Sequence, residues 1–362
     1  KWEIRSTVVG RVTEGGELRI VEGFDGECVG EVPASSLHED APLYDRPMAE
    51  PADLAAFRAD GAERLPAPAD VAADLAAMLQ DNAWVYSQYD HQLFLNTVVG
   101  PGGDAAVLRL KHPTTGQDTG RGMALTTDGN HRWCAIDPRA GTAQTVAEAV
   151  MNLACVGARP MALVNCLNFG NPEHPEVMWQ LSQAIDGMAE ACAAFELPVI
   201  GGNVSLYNES GGANIDPTPI VGVIGLIDDL AAIPPGLAWD DGDRLVLLGP
   251  DAAGLSGSKW AFQQGHRRGS LHPIDMGLHR GVADVVRGLV ADQVPSAVHD
   301  VSNGRLGVCA AEMAIASGLG CTLARVADHE ALFSESPSRV LVAVHQDHLA
   351  EVEQRATDAG VP

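Results

Sequence analysis

The 362-residue chain is 46% hydrophobic and 20% charged, with enough apolar side chains for about two globular domains. Its formal net charge of -25 repels nucleic-acid phosphates and anionic membrane surfaces, so a phosphorylated ligand has to be met by backbone amides, local cations or a divalent ion. No apolar run approaches the ~18 residues of a membrane span, no signal pattern opens the chain, and the cysteines lack CxxC spacing, which together predict a cytoplasmic protein with reduced thiols and no zinc.

Residues 1–45 alternate strand-like stretches with Gly turns and contain no helical period, as expected of the tail of a preceding domain. Residues 46–82 are rich in acids and interrupted by Pro47, Pro51, Pro66 and Pro68, which predicts a linker with one helix over about 70–81. A first full domain is expected over 83–232. In it "AAVLRL", "GMALTTD", "PMALVNCL", "LPVIGG" and "TPIVGVIGLI" read as strands, several of them apolar enough to be buried on both faces. Two helices cover them: Val146, Val150 and Leu153 form one stripe, and Val177, Leu181, Ile185, Met188, Cys192 and Phe195 form another. The Pro-Pro-Gly turn and clustered aspartates of "DDLAAIPPGLAWDDGDR" mark a boundary. A second domain, 233–362, is expected to continue with strands at "RLVLLGP", 296–299 and 339–345, helices near 277–292 and 303–317, and a last helix from about 346. The fold class is α/β (α+β), with mixed sheets covered by helices in each domain.

The stretch "PVIGGNVSL" ends an apolar strand on Gly201-Gly202, with Asn203 and Ser205 directly after. Without a Cβ, Gly202 lets a ligand approach the backbone closely, Asn203 offers an oxygen to a hard cation, and Ser205 offers a hydroxyl to a phosphate. The same residues also suit an ordinary tight turn, and both readings stand on the residues alone. Glu148 and Asn152 lie one helical turn apart, opposite the apolar stripe. Magnesium needs further oxygens, which Asp104, Asp128 and Asp300 can supply; each taken singly also suits a solvated turn. His299 beside Asp300 is open to an acid–base role or to simple packing. Lys259, Arg267 and Arg268 read as a solvated loop cluster.

The segments "WVYSQYDHQLFLNTVVGPGGDAAVLRL", "ALTTDGN", "ALVNCLNFGNPEHPEVMW", "IGGNVSLYNE" and "HDVSNGRLGVCAAEMA" closely resemble the phosphoribosylformylglycinamidine (FGAM) synthases, ATP-dependent enzymes of purine biosynthesis built from two aminoimidazole-ribotide-synthetase-like halves. The resemblance covers the second half of such an enzyme, with 1–45 ending the first half and the chain stopping short of the family's usual carboxyl terminus. It implies that ATP phosphorylates the amide oxygen of formylglycinamide ribonucleotide (FGAR). Ammonia, made from glutamine by a glutaminase subunit that joins a small accessory subunit, then displaces the phosphate.

It further implies ATP contacts at Asn165 and Gly202, a Mg²⁺ ligand at Asn203 and a substrate contact at Ser205. Asp104, Glu148, Asn152 and Asp300 match residues that hold Mg²⁺ on a second, structural nucleotide. Two positions depart from the pattern: Asn165 stands where many relatives carry aspartate, and Arg305 replaces the glycine usual in "HDxSxGGL". The family's catalytic histidine, in a Ser-His-Asn-His-Pro-Ser context, does not occur, so no catalytic residue is assigned and the chain alone is expected not to turn over. Two alternatives are a non-catalytic scaffold half docking the glutaminase, and a sister-family synthetase. The sister family would need a Gly-rich amino-terminal segment with a catalytic Lys or Cys, which is not seen.

Overall fold

The computed structural model describes residues 4–251 and 254–362; residues 1–3, where the first predicted strand-like stretch begins, lie outside them. The chain divides after Arg46 into two units. In the first, β1 (Glu17–Val21) pairs antiparallel with β2 (Cys28–Pro33) as a single hairpin.

The second unit begins with a segment that composition suggests is a linker and that is packed instead. Its helices α1 (Leu54–Ala59) and α2 (Val71–Met78) bury Leu54 and Met78, with Ala62 fully buried between them. Asp70 caps α2 by accepting from the amides of Ala72 and Ala73, both at 3.0 Å. Pro47 and Pro51 precede α1 and Pro66 and Pro68 fall between the two helices, so here the prolines punctuate short elements rather than free chain. Ala62 and Met78 join Leu255, Trp260, Val308 and Phe333 in a satellite core. Asp74 accepts from Trp260 Nε1 at 2.7 Å, and Lys259 Nζ donates to the Met78 carbonyl at 2.7 Å. Lys259, read as part of a solvated loop, is thereby tied down.

After α3 (Ala83–Tyr86) come β3 (Thr97–Val99), β4 (Ala106–Lys111), β5 (Asp118–Gly129), α4 (His131–Ile136), α5 (Pro138–Cys155), β6 (Arg159–Asn168), α6 (Pro175–Ala194) and β7 (Val199–Ser205). A short hairpin, β8 (Glu209–Ser210) and β9 (Ala213–Asn214), leads to β10 (Thr218–Ile227). The sheet runs β3-β4-β5-β10-β6-β7 and is mixed: its pairings are antiparallel except β6 with β7. Helix α5 starts at Pro138, well before the predicted stripe, because Asp137 accepts from the amides of Arg139 (3.1 Å) and Ala140 (3.0 Å) and Pro138 tolerates the first turn. It packs on β5 and β10, on α6, and on α8 (Met276–Ala291) of the second domain. Almost all of its residues are therefore buried, and it has no solvated side opposite the Val146 stripe.

In the second domain β11 (Arg244–Leu248), α7 (Lys259–Gln263), α8, β12 (Ala297–Asp300), α9 (Arg305–Ser317), α10 (His329–Phe333), β13 (Val340–Val344) and α11 (Leu349–Asp358) follow in order. The strands form the sheet β11-β13-β12, antiparallel in both pairings. Val286, Leu289 and Val290 of α8 share one core with Val150 and Leu153 of α5, so the two domains are joined through apolar packing. Among the described residues no helix is long and apolar enough to cross a membrane.

Candidate functional site

Sheet topology gathers one set of sequence-predicted residues at the carboxyl ends of β6 and β7. Because these strands are parallel, Asn165 stands opposite Gly202, Cys166 opposite Asn203, and Asn168 opposite Ser205. The lack of a side chain at Gly202 is required: a Cβ there would lie 2.7 Å from the Asn165 carbonyl oxygen and would also strike the Asn165 carboxamide. Asn165 Nδ2 points to Met188 Sδ of α6 at 3.4 Å. Ser205 is held by Asn208, whose Nδ2 donates to the Ser205 carbonyl at 2.9 Å. Gly202 and Asn203 are exposed on β7, which is the sheet edge, and Ser205 is half-buried. Asn203 and Ser205, two residues apart, share one face of this edge, whereas Gly202 and Asn165 lie together on the face that α6 covers.

A second set converges in the interior, where α5, β5, β12 and the Gly-rich turn before β4 meet. His299 Nδ1 is 2.7 Å from Asp104 Oδ1 and 3.6 Å from Asp300 Oδ1, and its Nε2 is 3.0 Å from Glu312 Oε2. Asn152 Nδ2 donates to Asp128 Oδ1 at 2.9 Å, and Thr126 Oγ1 donates to Asp128 Oδ2 at 3.0 Å. Glu148 and Asp300 line one small cavity with Arg305 and Arg339. Asp104, Glu148, Asn152, Asp128 and Asp300 are thus brought into one neighbourhood, while Asn203 belongs to the other set.

Electrostatics of this centre follow from burial. Desolvation, then the charge of Glu148, pushes Asp128 up to about 8. Desolvation, then the charge of Asp300, pushes Glu148 up to about 8, with Arg305 pulling against it. Asp300 is raised by burial and by Asp104. Burial alone would lower His299, yet Asp104 and Cys309 nearby, with the hydrogen bonds to Asp104 and Glu312, raise it well above the usual histidine value. Burial would raise Glu335 too, but the charges of Arg132 and Arg305 hold it below the ordinary carboxylate value.

Several partners were not identifiable from sequence spacing. Glu335 accepts from Arg132 Nη2 at 3.1 Å and from the amides of Lys259 (2.8 Å) and Gly304 (3.0 Å), so it anchors the turn into α9. Glu312 is the second partner of His299, which is therefore more than a packed strand-end histidine. The one usable signal in the sequence is Arg305, which stands where glycine is usual. It adopts φ of 65°, is 2% exposed, and has its guanidinium 5.4 Å from the centre of the Trp133 ring.

Magnesium bound to a nucleotide fits this interior centre poorly. The cavity shared by Glu148 and Asp300 is about 20 Å³, room for about one water, whereas a small-molecule pocket is typically about 300–1,000 Å³. Arg305 fills the adjoining space, and its Nε and Nη2 lack hydrogen-bond partners. A wider cavity of about 350 Å³, bordered by Phe57, Ile136, His174, Asn214, Phe262 and Arg267, is lined by none of the predicted residues.

Comparison with known proteins places this geometry. Two family signatures match: AIR synthase related protein, N-terminal domain, over residues 102–227, and AIR synthase related protein, C-terminal domain, over residues 240–362. The chain is 43% identical to phosphoribosylformylglycinamidine synthase subunit PurL of Moorella thermoacetica, covering all of this chain (100%) and 49% of that protein. It is 42% identical to the subunit of the same name from Thermomicrobium roseum, covering 100% of this chain and 50% of that protein. The chain thus spans about half the length of the curated relatives it matches. Its fold is similar to Thermotoga maritima PurL complexed with AMPPCP (TM-score 0.60, 23% identity, 91% of this chain and 47% of that one). It is equally similar to that protein complexed with FGAR (TM-score 0.60, 23% identity, 91% and 45%).

Proposed function

Because the chain belongs to the AIR synthase related family, whose two domains lie in order along it, we propose that it is the second half of an FGAM synthase. That enzyme uses ATP to convert FGAR and ammonia to formylglycinamidine ribonucleotide. The observation that carries this reading is likeness over the whole chain to proteins of that name. The parallel β6–β7 pair supports it physically, since ligands of open α/β sheets bind outside the carboxyl ends of such strands. Those ends carry Asn165, Gly202, Asn203 and Ser205.

In this mechanism the γ-phosphoryl group of ATP moves to the FGAR amide oxygen, releasing ADP. Ammonia adds at the same carbon and inorganic phosphate leaves. Gly202 admits the nucleotide to the strand backbone, the Asn165 carboxamide donates to it, and Ser205 orients the ribotide. Asn203 is the residue that would hold Mg²⁺, which when bound neutralises phosphate charge. The chain supplies binding and orientation rather than acid–base chemistry, because the family's histidine motif does not occur in it. Ammonia would come from a glutaminase partner, with the small accessory subunit completing the assembly in the cytoplasm. The scaffold alternative needs a nucleotide held by Asp104, Glu148, Asn152 and Asp300, and the room at that centre disfavours it.

The test is product formation from ATP, FGAR and ammonia. The chain alone is expected to be inactive yet to bind AMPPCP, with affinity falling in Asn203→Ala and Gly202→Ala. Product formed by the chain alone at a normal enzymatic rate would overturn the division of labour proposed here.

A further inference from the structure

The interior acidic centre resembles a cation site until its own cations are counted. Asp104, Asp128, Glu148, Asp300 and Glu335 come together there, but all except Glu148 lie close to a protein cation or a proton donor. Asp104 faces His299 at 2.7 Å, Glu335 faces Arg132 at 3.1 Å and Arg305 at 3.7 Å, and Asp128 takes hydrogen bonds from Asn152 and Thr126. Asp300 accepts from Ser302 Oγ at 2.9 Å, and Glu148 and Asp300 line one cavity with Arg305.

Arg305 itself is unusual on three counts. Its backbone lies in the left-handed region at φ 65°, directly after Gly304 at φ 83°, a conformation that side chains with a Cβ rarely adopt. Its side chain is 2% exposed, under the ring of Trp133. Only Nη1 finds acceptors, the carbonyls of Val301 and Ser336, while Nε and Nη2 have no hydrogen bond. A strained, buried and half-satisfied cation is not explained by hydrogen bonding or by turn geometry. The carboxylates around it do explain it, because buried charge is tolerated chiefly when paired.

We infer that the guanidinium of Arg305 is the resident cation of this centre, standing in for a divalent ion, so that the centre takes up no metal while Arg305 is present. Removing the side chain relieves the backbone, empties the space and leaves Glu148 and Asp300 facing a void suited to a hard cation with water in its remaining positions. This inference is independent of the function proposed above, because Asn203 lies in the other residue set.

The experiment titrates the full chain with Mn²⁺ alone, reading free Mn²⁺ by its paramagnetic resonance signal and folding by circular dichroism. The wild-type chain is expected to bind as many equivalents as Glu148→Gln. Arg305→Gly is expected to gain one equivalent, and the double variant Arg305→Gly with Glu148→Gln to lose it. A wild-type chain that loses an equivalent on Glu148→Gln overturns the inference, as does a folded Arg305→Gly that gains none. Should Arg305→Gly fail to fold, the comparison of wild type with Glu148→Gln decides the matter, and equal binding supports the inference.

Discussion

His279 offers a quantitative test of the packing between the two domains. Its ring is 1% exposed. Nε2 lies 2.8 Å from the Ala147 carbonyl and Nδ1 lies 2.8 Å from Ser338 Oγ. A carbonyl only accepts, so Nε2 carries the proton and Nδ1 accepts from the serine hydroxyl. Charging the ring would put a second proton where Ser338 now donates, inside a desolvated core. Burial accordingly lowers this histidine from 6.5 to about 4, with the bond to Ala147 opposing only in part. Its folded value lies below its unfolded one, so its contribution is fully present above about pH 6.5 and is lost as pH falls through about 4. At about 1.36 kcal/mol per pH unit, the loss amounts to ~3.4 kcal/mol.

Asp128 and Glu148 act in the opposite sense. Their folded values, about 8 for each, lie above their unfolded ones, so their contribution is present in acid and lost as pH rises through about 8. The wild-type pH profile alone therefore does not isolate the histidine. The assay is urea unfolding of wild type and His279→Gln between pH 7.5 and 4, read as the difference between them. That difference should shrink by ~3 kcal/mol toward acid. A flat difference, or an NMR titration of His279 near the ordinary histidine value, would refute the reasoning.

Other perturbations test separate contacts. Glu335→Gln strips the partner of Arg132 and Arg305 and should lower unfolding free energy in urea by about 3–5 kcal/mol. Gly187→Ala should lose about 1–3 kcal/mol in the same measurement, because a Cβ on α6 would meet the Arg139 carbonyl carbon at 2.8 Å. Gly202→Ala should weaken AMPPCP binding by about tenfold or more in calorimetric titration, equivalent to ~1.4 kcal/mol, since its Cβ cannot coexist with Asn165 as placed. Arg58→Ala removes the 2.7 Å contact to Asp137. The contact is half exposed, so a loss within about 1 kcal/mol is expected.

Elements governed by local periodicity were legible from the sequence. The continuous apolar runs at 160–167 and 218–227 are strands β6 and β10, and the 3–4 spacing from Val177 to Cys192 is α6, but the expected burial on both faces is not met: helices cover one face, and Met161, Val164, Ile220 and Val204 are exposed on the other. The meeting of Asp104 with His299 was not legible, because the two are separated by 195 residues and only the fold brings them together. Composition misled at 47–82, where acidity and proline suggest free chain. A few small or flexible apolar residues, Ala62 and Met78 above all, were enough to dock it. At Arg305 the departure from a glycine pattern was visible, but its burial depends on Trp133 and Glu335, which spacing does not connect to it.

Helix α5 touches the sheet of one domain and both α8 and β12 of the other. Its amides can therefore reach solvent only when both domains open together, and hydrogen exchange there should report the global stability of residues 47–362. Through that helix the two family domains are expected to unfold as one cooperative unit, so a cut between them near residue 232, which strips α5 of a flank, should leave each piece less stable than the joined pair.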